Sequence, residues 1–516
     1  MSPRVQELAG ALVDSGVGLA AGVTGSGLSW QLITALERLG VPFVPTVHES
    51  AAAILAGAFA RHTGSLGCAI TIKGPGFANL LPGIVSNAYE AWPVLTVSEA
   101  YGPARGARRH KLLDHETLAR ACVRAYGTLG DPRTLVPSLA AAARADVPGP
   151  VHLDLFAEEH ASFWHVAWPA SPPWAPAGEA ERLLTVARRP VVIAGAWSVG
   201  QPWARSLASL GVPVMTTLAA KGVVDERTTW AGGIYTGDGK SLAPERALVE
   251  ASDLVVGVGL RADEVLSVRP FGRPTVLYDT VWTEGVEAFG GVRCHASGGA
   301  VETALGLMGG RSWGAEEVDA ATTRLRSALL NGSWLPATVF ASLQAASPAP
   351  SHLVVDTGLF CTVAEHLWQA GAPAAFTASA NGRYMGTSVP MALGVALAHP
   401  ADTTICAMGD GGARMGVAEL AHAIERHLRI AFVLMSDARY GSVGGVPGAS
   451  GLSERAVTIA RPSWFRAIEA MGCPAGRVES RDELERAFAA WSREGPLFIE
   501  AVFDPAAYAR ATDGLR

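Results

Sequence analysis

The chain has 516 residues, which is more than one hydrophobic core usually organises, so we expect three domains of ordinary size. Hydrophobic residues make up 49% of the sequence and charged residues 17%, a balance that predicts a folded chain and excludes extensive disorder. The formal net charge of −6 includes no long run of one sign, so the composition excludes nucleic acid as a partner and favours small molecules and other subunits.

The N-terminal part alternates between the patterns of helices and strands. Apolar residues at helical spacing predict helices over residues 5–13 and 28–39. Short apolar runs predict strands over residues 41–47, 67–72 and 94–97. The stretches between these strands are long enough for helices, as a parallel α/β sheet requires. We therefore predict a first α/β domain at residues 1–163.

Two further α/β patterns follow. Four prolines between Trp164 and Ala177 exclude a regular helix or a central strand there, so this segment is predicted to be a linker. A Rossmann-like middle domain is predicted at residues 178–310, with successive strands over 189–195, 212–217 and 253–259. A third α/β domain is predicted at residues 330–516, with strands over 352–356, 404–408, 431–435 and 497–503.

The cysteines and the hydropathy pattern predict the compartment. The six cysteines are scattered and include no CxxC pair, a distribution typical of reduced thiols rather than disulfides or a zinc site. No apolar run reaches the roughly 18 residues of a membrane span, and the N-terminal pattern is not that of a signal peptide. We therefore expect a cytoplasmic protein that has no membrane partner.

The strongest local motif is Gly409-Asp410-Gly411, which directly follows a predicted strand. An acidic residue at the carboxyl end of a strand lies where α/β sheets bind ligands, and flanking glycines let the backbone approach a phosphate. Asp437 follows the next strand, and two such carboxylates can share one octahedral Mg²⁺. The tripeptide alone is also compatible with a simple turn, but its strand–helix–strand context favours a site for a metal ion and a phosphate.

Several motifs together resemble one enzyme family, the thiamine-diphosphate-dependent enzymes. The diphosphate-binding motif of that family is similar to Gly409-Asp410-Gly411, Glu419-Leu420 and Ser436-Asp437. The pyrimidine-binding domain of its acetolactate synthase, benzoylformate decarboxylase and pyruvate decarboxylase branch is similar to His48-Glu49-Ser50, Gly74-Pro75-Gly76 and Asn87-Ala88-Tyr89. The resemblance implies three parallel-sheet α/β domains, named pyrimidine-binding, central and diphosphate-binding. It also implies a homodimer or homotetramer whose active sites lie at the subunit interface.

The resemblance assigns roles to individual residues. Glu49 corresponds to the acid that hydrogen-bonds the aminopyrimidine and activates the cofactor. Met385 corresponds to the apolar wedge beneath the cofactor. The implied cofactor-binding set is Glu49, Arg383, Met385, Gly409, Asp410, Gly411, Gly412, Ser436 and Asp437. The implied metal site consists of Asp410, Asp437 and Arg439, with a backbone carbonyl nearby.

Departures from the family pattern bear on the substrate. Ser26, Lys73 and Gly74 are predicted to line the substrate pocket. Lys73, Arg383 and Arg439 stand where small residues are common, which favours an acidic 2-oxo acid with a second anionic group. The alternative is that all three are solvated surface charges. His110 and His115 are candidates for acid/base catalysis, and the alternative for each is a structural or solvated histidine.

The predicted reaction is thiamine-diphosphate- and Mg²⁺-dependent decarboxylation of a 2-oxo acid, followed by carboligation to a second carbonyl as in acetolactate synthase. The alternative is a simple decarboxylase that releases an aldehyde. A flavin or nicotinamide oxidoreductase is a weaker alternative, because Gly257-Val258-Gly259 lacks the third glycine of the dinucleotide motif. Two further alternatives are that the protein binds FAD without using it in the reaction, and that it is a non-catalytic relative that only binds ligands.

Overall fold

The computed structural model describes residues 1–101, 110–128, 130–156, 162–166, 173–444 and 453–516. Within these ranges the strands form three sheets, one after another along the chain, and helices pack against them. This is the predicted fold class of three parallel-dominated α/β units. The predicted domain bounds of 1–163, 178–310 and 330–516 remain predictions.

The first sheet is built from strands of the N-terminal third. These are β1 (Val17–Gly22), β2 (Phe43–Pro45), β3 (Leu66–Thr71), β4 (Val94–Ala100), β5 (Ala125–Thr128), β6 (Val151–Phe156) and β7 (Ser162–His165). They lie in the order β2-β1-β3-β4-β6-β5-β7. The helices are α1 (Pro3–Asp14), α2 (Leu28–Arg38), α3 (Glu49–Thr63), α4 (Pro75–Glu90), α5 (His115–Ala119) and α6 (Pro132–Ala143).

One strand of the first sheet differs from the sequence prediction. β7 runs antiparallel to β5 at the sheet edge and includes Trp164, which the proline pattern placed in the linker. An edge strand tolerates nearby prolines, because one row of its backbone groups has no strand partner to lose. The linker prediction is therefore wrong at its first residues.

The middle sheet has the order β10-β9-β8-β11-β12-β13. Its strands are β8 (Pro190–Ala194), β9 (Val214–Thr216), β10 (Ala231–Ile234), β11 (Leu254–Val258), β12 (Thr275–Asp279) and β13 (Val292–His295). The helices that accompany it are α7 (Ala177–Val186), α8 (Pro244–Ala251), α9 (Gly298–Gly306) and α10 (Ala315–Leu329). The run predicted as the third strand of this domain is β11, the fourth, because the short strand β10, Ala-Gly-Gly-Ile, lacks the expected apolar alternation.

The third sheet has the order β15-β14-β16-β17-β19-β18. Its strands are β14 (Ser351–Val355), β15 (Phe376–Ala378), β16 (Thr403–Gly409), β17 (Ile430–Ser436), β18 (Ala475–Val478) and β19 (Leu497–Val502). The helices are α11 (Pro336–Ala346), α12 (Leu359–Leu367), α13 (Ser388–Ala398), α14 (Asp410–Gly416), α15 (Leu420–Glu425), α16 (Gly441–Gly444), α17 (Glu454–Val457), α18 (Trp464–Ala470), α19 (Arg481–Ala489) and α20 (Pro505–Tyr508). Short 3₁₀ helices occur at Ala196–Ser198, Pro202–Ser209, Leu218–Ala220, Val286–Phe289, Pro373–Ala375 and Val417–Glu419.

The first and third units share a hydrophobic core. Helix α3 is rich in alanine, and its small residues allow the close approach of α13. A Cβ added at Gly394 would lie 2.4 Å from the carbonyl oxygen of Leu55, so the two helices pack backbone to backbone at this point. Both helices are apolar on nearly all faces because each lies between a sheet and the other helix. This packing fixes the orientation of the two units within one protomer.

Among the described residues, no helix is long and apolar enough to cross a membrane. All six cysteines are free thiols, and five of them are buried.

Candidate active site

Asp410 lies at the carboxyl end of β16 and begins helix α14. Its carboxylate accepts hydrogen bonds from Oγ of Ser436 at 3.0 Å, from the N–H of Asp437 at 3.0 Å and from the N–H of Ala438 at 2.9 Å. These donors follow β17, the neighbouring parallel strand, so the two strand ends meet as the sequence predicted. The structure thus brings Asp410, Ser436 and Asp437 together in one cluster.

The second carboxylate of this cluster belongs to Asp437, which is 4% exposed. Burial and the nearby charge of Asp410 raise the pKa of Asp437 to about 6, and burial also raises the pKa of Asp410. Two buried carboxylates that repel each other present oxygen ligands to a hard divalent cation, which would relieve the repulsion. The donor set therefore fits Mg²⁺.

Glycines open a cavity next to this cluster. The cavity has a volume of about 160 Å³ and is lined by residues between Thr357 and Tyr508, all of the third unit. A Cβ added at Gly411 would lie 2.8 Å from Sδ of Met385, and one at Gly412 would lie 2.1 Å from a carboxylate oxygen of Asp356. Glycine is therefore required at both positions, because protein atoms occupy the space that a side chain would need. Gly409, Met385 and Arg439 also line this cavity.

Buried carboxylates anchor the loop that carries Met385. Asp356, which follows β14, accepts the N–H of Gly386 at 2.9 Å and the hydroxyl of Ser388 at 3.2 Å. Glu90, at the end of α4 in the first unit, accepts the N–H groups of Ala380 at 2.9 Å and Gly382 at 2.9 Å. Burial raises the pKa of both carboxyl groups, that of Asp356 to about 6, although these hydrogen bonds lower it in part.

Arg383 belongs to the same loop, but its guanidinium is directed away from the cavity. It donates to Glu365, a fully buried carboxylate of α12 that also accepts from Arg516 at 2.6 Å. Burial alone would raise the pKa of Glu365, but the two guanidinium groups outweigh that effect and lower it. The side chain of Arg383 is therefore an anchor of the loop in this structure.

Glu49 begins helix α3 at the carboxyl edge of the first sheet, and it is 9% exposed. One of its carboxylate oxygens accepts a hydrogen bond from Nδ2 of Asn79 at 3.1 Å. A Cβ added at Gly76 would lie 3.5 Å from the other oxygen and 2.3 Å from the hydroxyl of Thr71. That buried hydroxyl makes no hydrogen bond within the described protein. Glu49 and Thr71 thus lie together beside Gly76 at the carboxyl edge of the first sheet.

A carboxylate from the third unit holds the segment that leads to Glu49. Glu419 accepts the N–H of Val47 at 3.1 Å and the N–H of His48 at 2.9 Å within the same protomer. Burial raises the pKa of Glu419, although these hydrogen bonds lower it in part. The start of α3 is therefore fixed against the third unit.

His115 is buried beneath the loop of Gly74. Its Nε2 accepts the backbone N–H of Gly74 at 3.1 Å, and its Nδ1 lies 2.7 Å from a carboxylate oxygen of Asp154. Asp154 also accepts from Nε2 of His152 at 3.0 Å and from the hydroxyl of Tyr126 at 2.6 Å. Both nitrogens of His115 are thus occupied, and the ring stacks on Phe77 at 4.2 Å. This geometry makes His115 a support of the Gly74 loop, whereas His110 lies exposed in a turn.

Lys73 lies at the carboxyl edge of the first sheet, as Glu49 does. Its Nζ contacts a carboxylate oxygen of Glu99 at 2.8 Å, and the other oxygen of Glu99 accepts the N–H and the hydroxyl of Ser29, each at 2.7 Å. Ser26, two residues before α2, is exposed beside this network. Glu99 therefore links the Lys73 side chain to the loop that carries Ser26.

Each of the three cations predicted to line a cationic pocket has a carboxylate partner, and the pocket itself remains a prediction. Lys73 is paired with Glu99, Arg383 with Glu365, and Arg439 with Glu454 at 2.7 Å. The three cations lie at three different places, and each has a carboxylate partner that compensates its charge. Sequence patterns could not reveal these pairs, because the partners lie 15 to 26 residues away and on other elements.

Several residues of the candidate site were not predicted from the sequence. Asp356 lies at a strand end and precedes Thr-Gly, so the rule that identified Asp410 applies to it as well. Tyr440 and Tyr508 line the cavity beside Asp437, but no motif marks them. Glu90, Glu99 and Glu365 act through long-range contacts that leave no local signature.

Three stretches of the chain match the domains that define one enzyme family. Residues 5–115 match the N-terminal TPP binding domain of the thiamine pyrophosphate enzymes. Residues 178–277 match their central domain, and residues 356–501 match their C-terminal TPP binding domain. TPP, thiamine pyrophosphate, is another name for thiamine diphosphate.

The chain is also similar to individual proteins over most of its length. It is 25% identical to a probable 2-ketoarginine decarboxylase from Pseudomonas aeruginosa, over 96% of this chain and 93% of that protein. It is 23% identical to the acetolactate synthase large subunit of Haemophilus influenzae, over 92% of this chain and 89% of that protein. It is 22% identical to 2-hydroxyacyl-CoA lyase 2 of Bos taurus, over 87% of this chain and 81% of that protein.

Proposed function

Because the chain belongs to the thiamine pyrophosphate enzyme family, we propose that it decarboxylates a 2-oxo acid with thiamine diphosphate and Mg²⁺, and then joins the remaining carbon to a second carbonyl. The observation that carries this proposal is the pair of buried carboxylates, Asp410 and Asp437, at the mouth of a glycine-lined cavity. When bound, thiamine diphosphate supplies a carbon nucleophile and accepts the electrons released as CO₂ departs.

The residues of the chain have distinct tasks in this proposal. Asp410 and Asp437 hold Mg²⁺, and the backbone at Gly411 and Gly412 receives the diphosphate. Met385, next to Gly411, supports the cofactor from below. Glu49 hydrogen-bonds the aminopyrimidine and holds the proton that activates it. Arg439, predicted at the metal site, enters this proposal through its backbone, because its side chain is paired with Glu454.

The active site is proposed to form between two protomers. The cavity beside Asp410 is lined by residues of the third unit alone, whereas Glu49 lies at the edge of the first sheet. Within one protomer, Glu419 holds the segment before α3 and Glu90 holds the loop before Met385, so the two units cannot rearrange freely. We propose that Glu49 of the partner subunit completes the cavity, which makes a homodimer the minimal active unit.

The buried position of His115 removes one of the two candidate proton donors for simple decarboxylation, whereas the other, His110, is exposed. Release of an aldehyde requires a proton donor at the product carbon. His115 has both nitrogens in hydrogen bonds and lies 3% exposed, so it does not offer a proton to a substrate. The second candidate function is simple decarboxylation, and the similarity to a probable 2-ketoarginine decarboxylase supports it.

The proposed substrate is a 2-oxo acid without a second anionic group. Lys73 is 22% exposed and can contact the carboxylate of a substrate, but Glu99 already compensates its charge. A second anion would lack a counter-ion at this edge of the sheet and would be repelled by Glu99. A side chain that is neutral or cationic meets no such penalty.

The test is a panel of 2-oxo acids with neutral, anionic and guanidinium side chains, supplied with thiamine diphosphate, Mg²⁺ and several acceptor carbonyls. CO₂ release and carbon–carbon-bonded products are measured together. We expect both for a substrate with a neutral or cationic side chain, and a loss of at least about 100-fold in Glu49→Gln. Glu37→Gln, an exposed glutamate of α2, serves as the matched control. CO₂ release without a joined product would identify the simple decarboxylase, and no cofactor-dependent CO₂ release from any acid would refute the proposal.

A further inference from the structure

Two groups of histidine and acidic side chains among the described residues bring ligand atoms within 4.8 Å of one another. One consists of His62, His352 and His399, and Asp402 lies beside it. His62 comes from α3 of the first unit, whereas the others belong to the third unit, so this histidine cluster lies at the seam between two units. It is separate from the candidate active site.

In two of the three histidines, one ring nitrogen has a hydrogen-bond partner outside the cluster, which leaves the other nitrogen for an ion. Nε2 of His62 lies 2.8 Å from the hydroxyl of Thr377, and Nδ1 of His352 lies 2.8 Å from the carbonyl oxygen of Ala374. The remaining nitrogens face inward: Nδ1 of His62 lies 3.0 Å from Nε2 of His399. Metal-binding histidines typically have such outer partners, which fix the ring and its tautomer.

The fourth ligand is a carboxylate. Nε2 of His352 lies 3.0 Å from Oδ2 of Asp402, which is also 3.9 Å from Nδ1 of His399. His352 thus faces an acceptor at each of its two nitrogens. A divalent ion at Nε2 would take Asp402 as a further ligand.

The rings of His352 and His399 stack at 4.2 Å, so His399 must tilt to face a shared ion. Its side chain is 26% exposed, which allows that motion.

The ion also has a route of entry. His62, Ala374 and Thr377 line a cavity of about 440 Å³ between the three units. By contrast, the second group of candidate ligands is fully buried and consists of His115, His152 and Asp154. The groups that would bind an ion are already used there in hydrogen bonds to Gly74, Thr96 and Tyr126. Only the first group therefore combines inward lone pairs with access.

We propose that His62, His352, His399 and Asp402 bind a first-row transition-metal ion such as Zn²⁺ or Co²⁺, and that this ion joins the first unit to the third. Three imidazoles and one carboxylate suit Zn²⁺ in four-coordinate geometry, with bonds of about 2.0–2.2 Å. Mg²⁺, which prefers oxygen ligands, belongs to the Asp410 site instead.

The experiment titrates Co²⁺ into the protein with thiamine diphosphate and excess Mg²⁺ present, and records visible absorption. We expect one equivalent of Co²⁺ to bind with the intense bands of four-coordinate cobalt, and Zn²⁺ to displace it. His399→Asn removes a ligand and abolishes these bands. Thr377→Val removes an outer partner and weakens Co²⁺ binding by about 10–100-fold. His427→Asn, an exposed histidine outside the cluster, leaves binding unchanged.

Circular dichroism verifies that each variant is folded, and Thr377→Val provides the decisive comparison if His399→Asn does not fold. The proposal is overturned if the unsubstituted protein shows no such bands, or if the bands persist unchanged in both cluster variants. The unsubstituted protein should also melt at a higher temperature with Zn²⁺ than without it, and Thr377→Val should show a smaller increase.

Discussion

Gly74 donates its backbone N–H to Nε2 of His115 at 3.1 Å, and this contact ties the loop before α4 to a buried histidine. Asp154 holds the opposite nitrogen of the ring at 2.7 Å, so the tautomer that can accept from Gly74 is fixed. Helix α4, which begins directly after this loop, contains Gly76, whose backbone lies beside Glu49. The histidine thereby acts on the candidate active site through backbone geometry.

His115→Phe should therefore lower activity without changing its dependence on pH. The phenyl ring can keep the stack on Phe77 but leaves the buried N–H of Gly74 without an acceptor, at a cost of about 1–3 kcal/mol in stability. The measurements are urea unfolding and kcat/KM between about pH 5 and pH 9. His165→Phe, at an exposed histidine of β7, is the control. Disappearance of one limb of the pH profile would instead indicate that His115 transfers a proton.

Glu99→Gln should leave the charge of Lys73 without a compensating carboxylate. The amide no longer compensates the ammonium group, so the KM for a 2-oxo acid with a second carboxylate should fall, whereas that for a neutral substrate should change little. A double-mutant cycle with Lys73→Met should give a coupling energy above the roughly 0.2–1 kcal/mol of exposed pairs. Arg246 and Glu250, both more than 60% exposed, form the matched exposed pair. Equal coupling in the two pairs would contradict this prediction.

Arg383→Met should destabilise the protein far more than Arg439→Met. Removal of Arg383 leaves the carboxylate of Glu365, 0% exposed, with Arg516 as its remaining cation, and breaking such a buried pair costs about 3–5 kcal/mol. Arg439 is paired with Glu454, which is 75% exposed, so its loss should cost about 1 kcal/mol or less. Urea unfolding of both variants measures the difference. Similar midpoints for the two would show that the Glu365 pair is not the anchor inferred here.

Gly412→Ala should weaken the binding of thiamine diphosphate. The added Cβ would lie 2.1 Å from Asp356, whose carboxylate must then leave the N–H of Gly386, and the loop of Met385 shifts with it. We expect affinity to fall by at least about tenfold, the effect of roughly 1.4 kcal/mol, in calorimetric titration with Mg²⁺ present. Gly299→Ala, in a helix and with no atom within 4 Å of the new Cβ, should bind normally and gain about 0.5–1 kcal/mol in stability.

Glu264 should make stability depend on pH near neutrality. Burial raises the pKa of Glu264 to about 7, although the hydroxyl of Thr217 and the N–H groups of Ala196 and Arg261 lower it in part. Because the folded pKa lies above the ordinary value of 4.5, its contribution to stability is complete below pH 4.5 and is lost as the pH rises through 7.

The matched variant is Glu264→Gln, whose amide keeps the shape and an acceptor for both N–H groups but does not titrate. The unfolding free energy of the unsubstituted protein, relative to Glu264→Gln, should fall by on the order of 3 kcal/mol between pH 4.5 and pH 8. A difference that is constant across this range would contradict the raised pKa.

The strand-end rule accounts for the proximity of Asp410 and Asp437. Asp410 and Asp437 each follow a buried strand, and parallel neighbours bring such ends together whatever the rest of the chain does. The rule also covers Asp356, which follows β14 and precedes Thr-Gly. The charges of Lys73, Arg383 and Arg439 were visible in the sequence, but their partners were not.

By itself, the sequence determined the three α/β units, the family and the edge of the third sheet where the acidic residues meet, because strand periodicity and glycine placement are local properties. Only the tertiary structure decided which charges are compensated, that His115 supports a loop, and that Glu90 and Glu419 reach Gly382 and His48 across 292 and 371 positions. Those contacts depend on how α3 and α13 pack. Packing between distant segments leaves no periodic pattern from which a side chain's partner could be read.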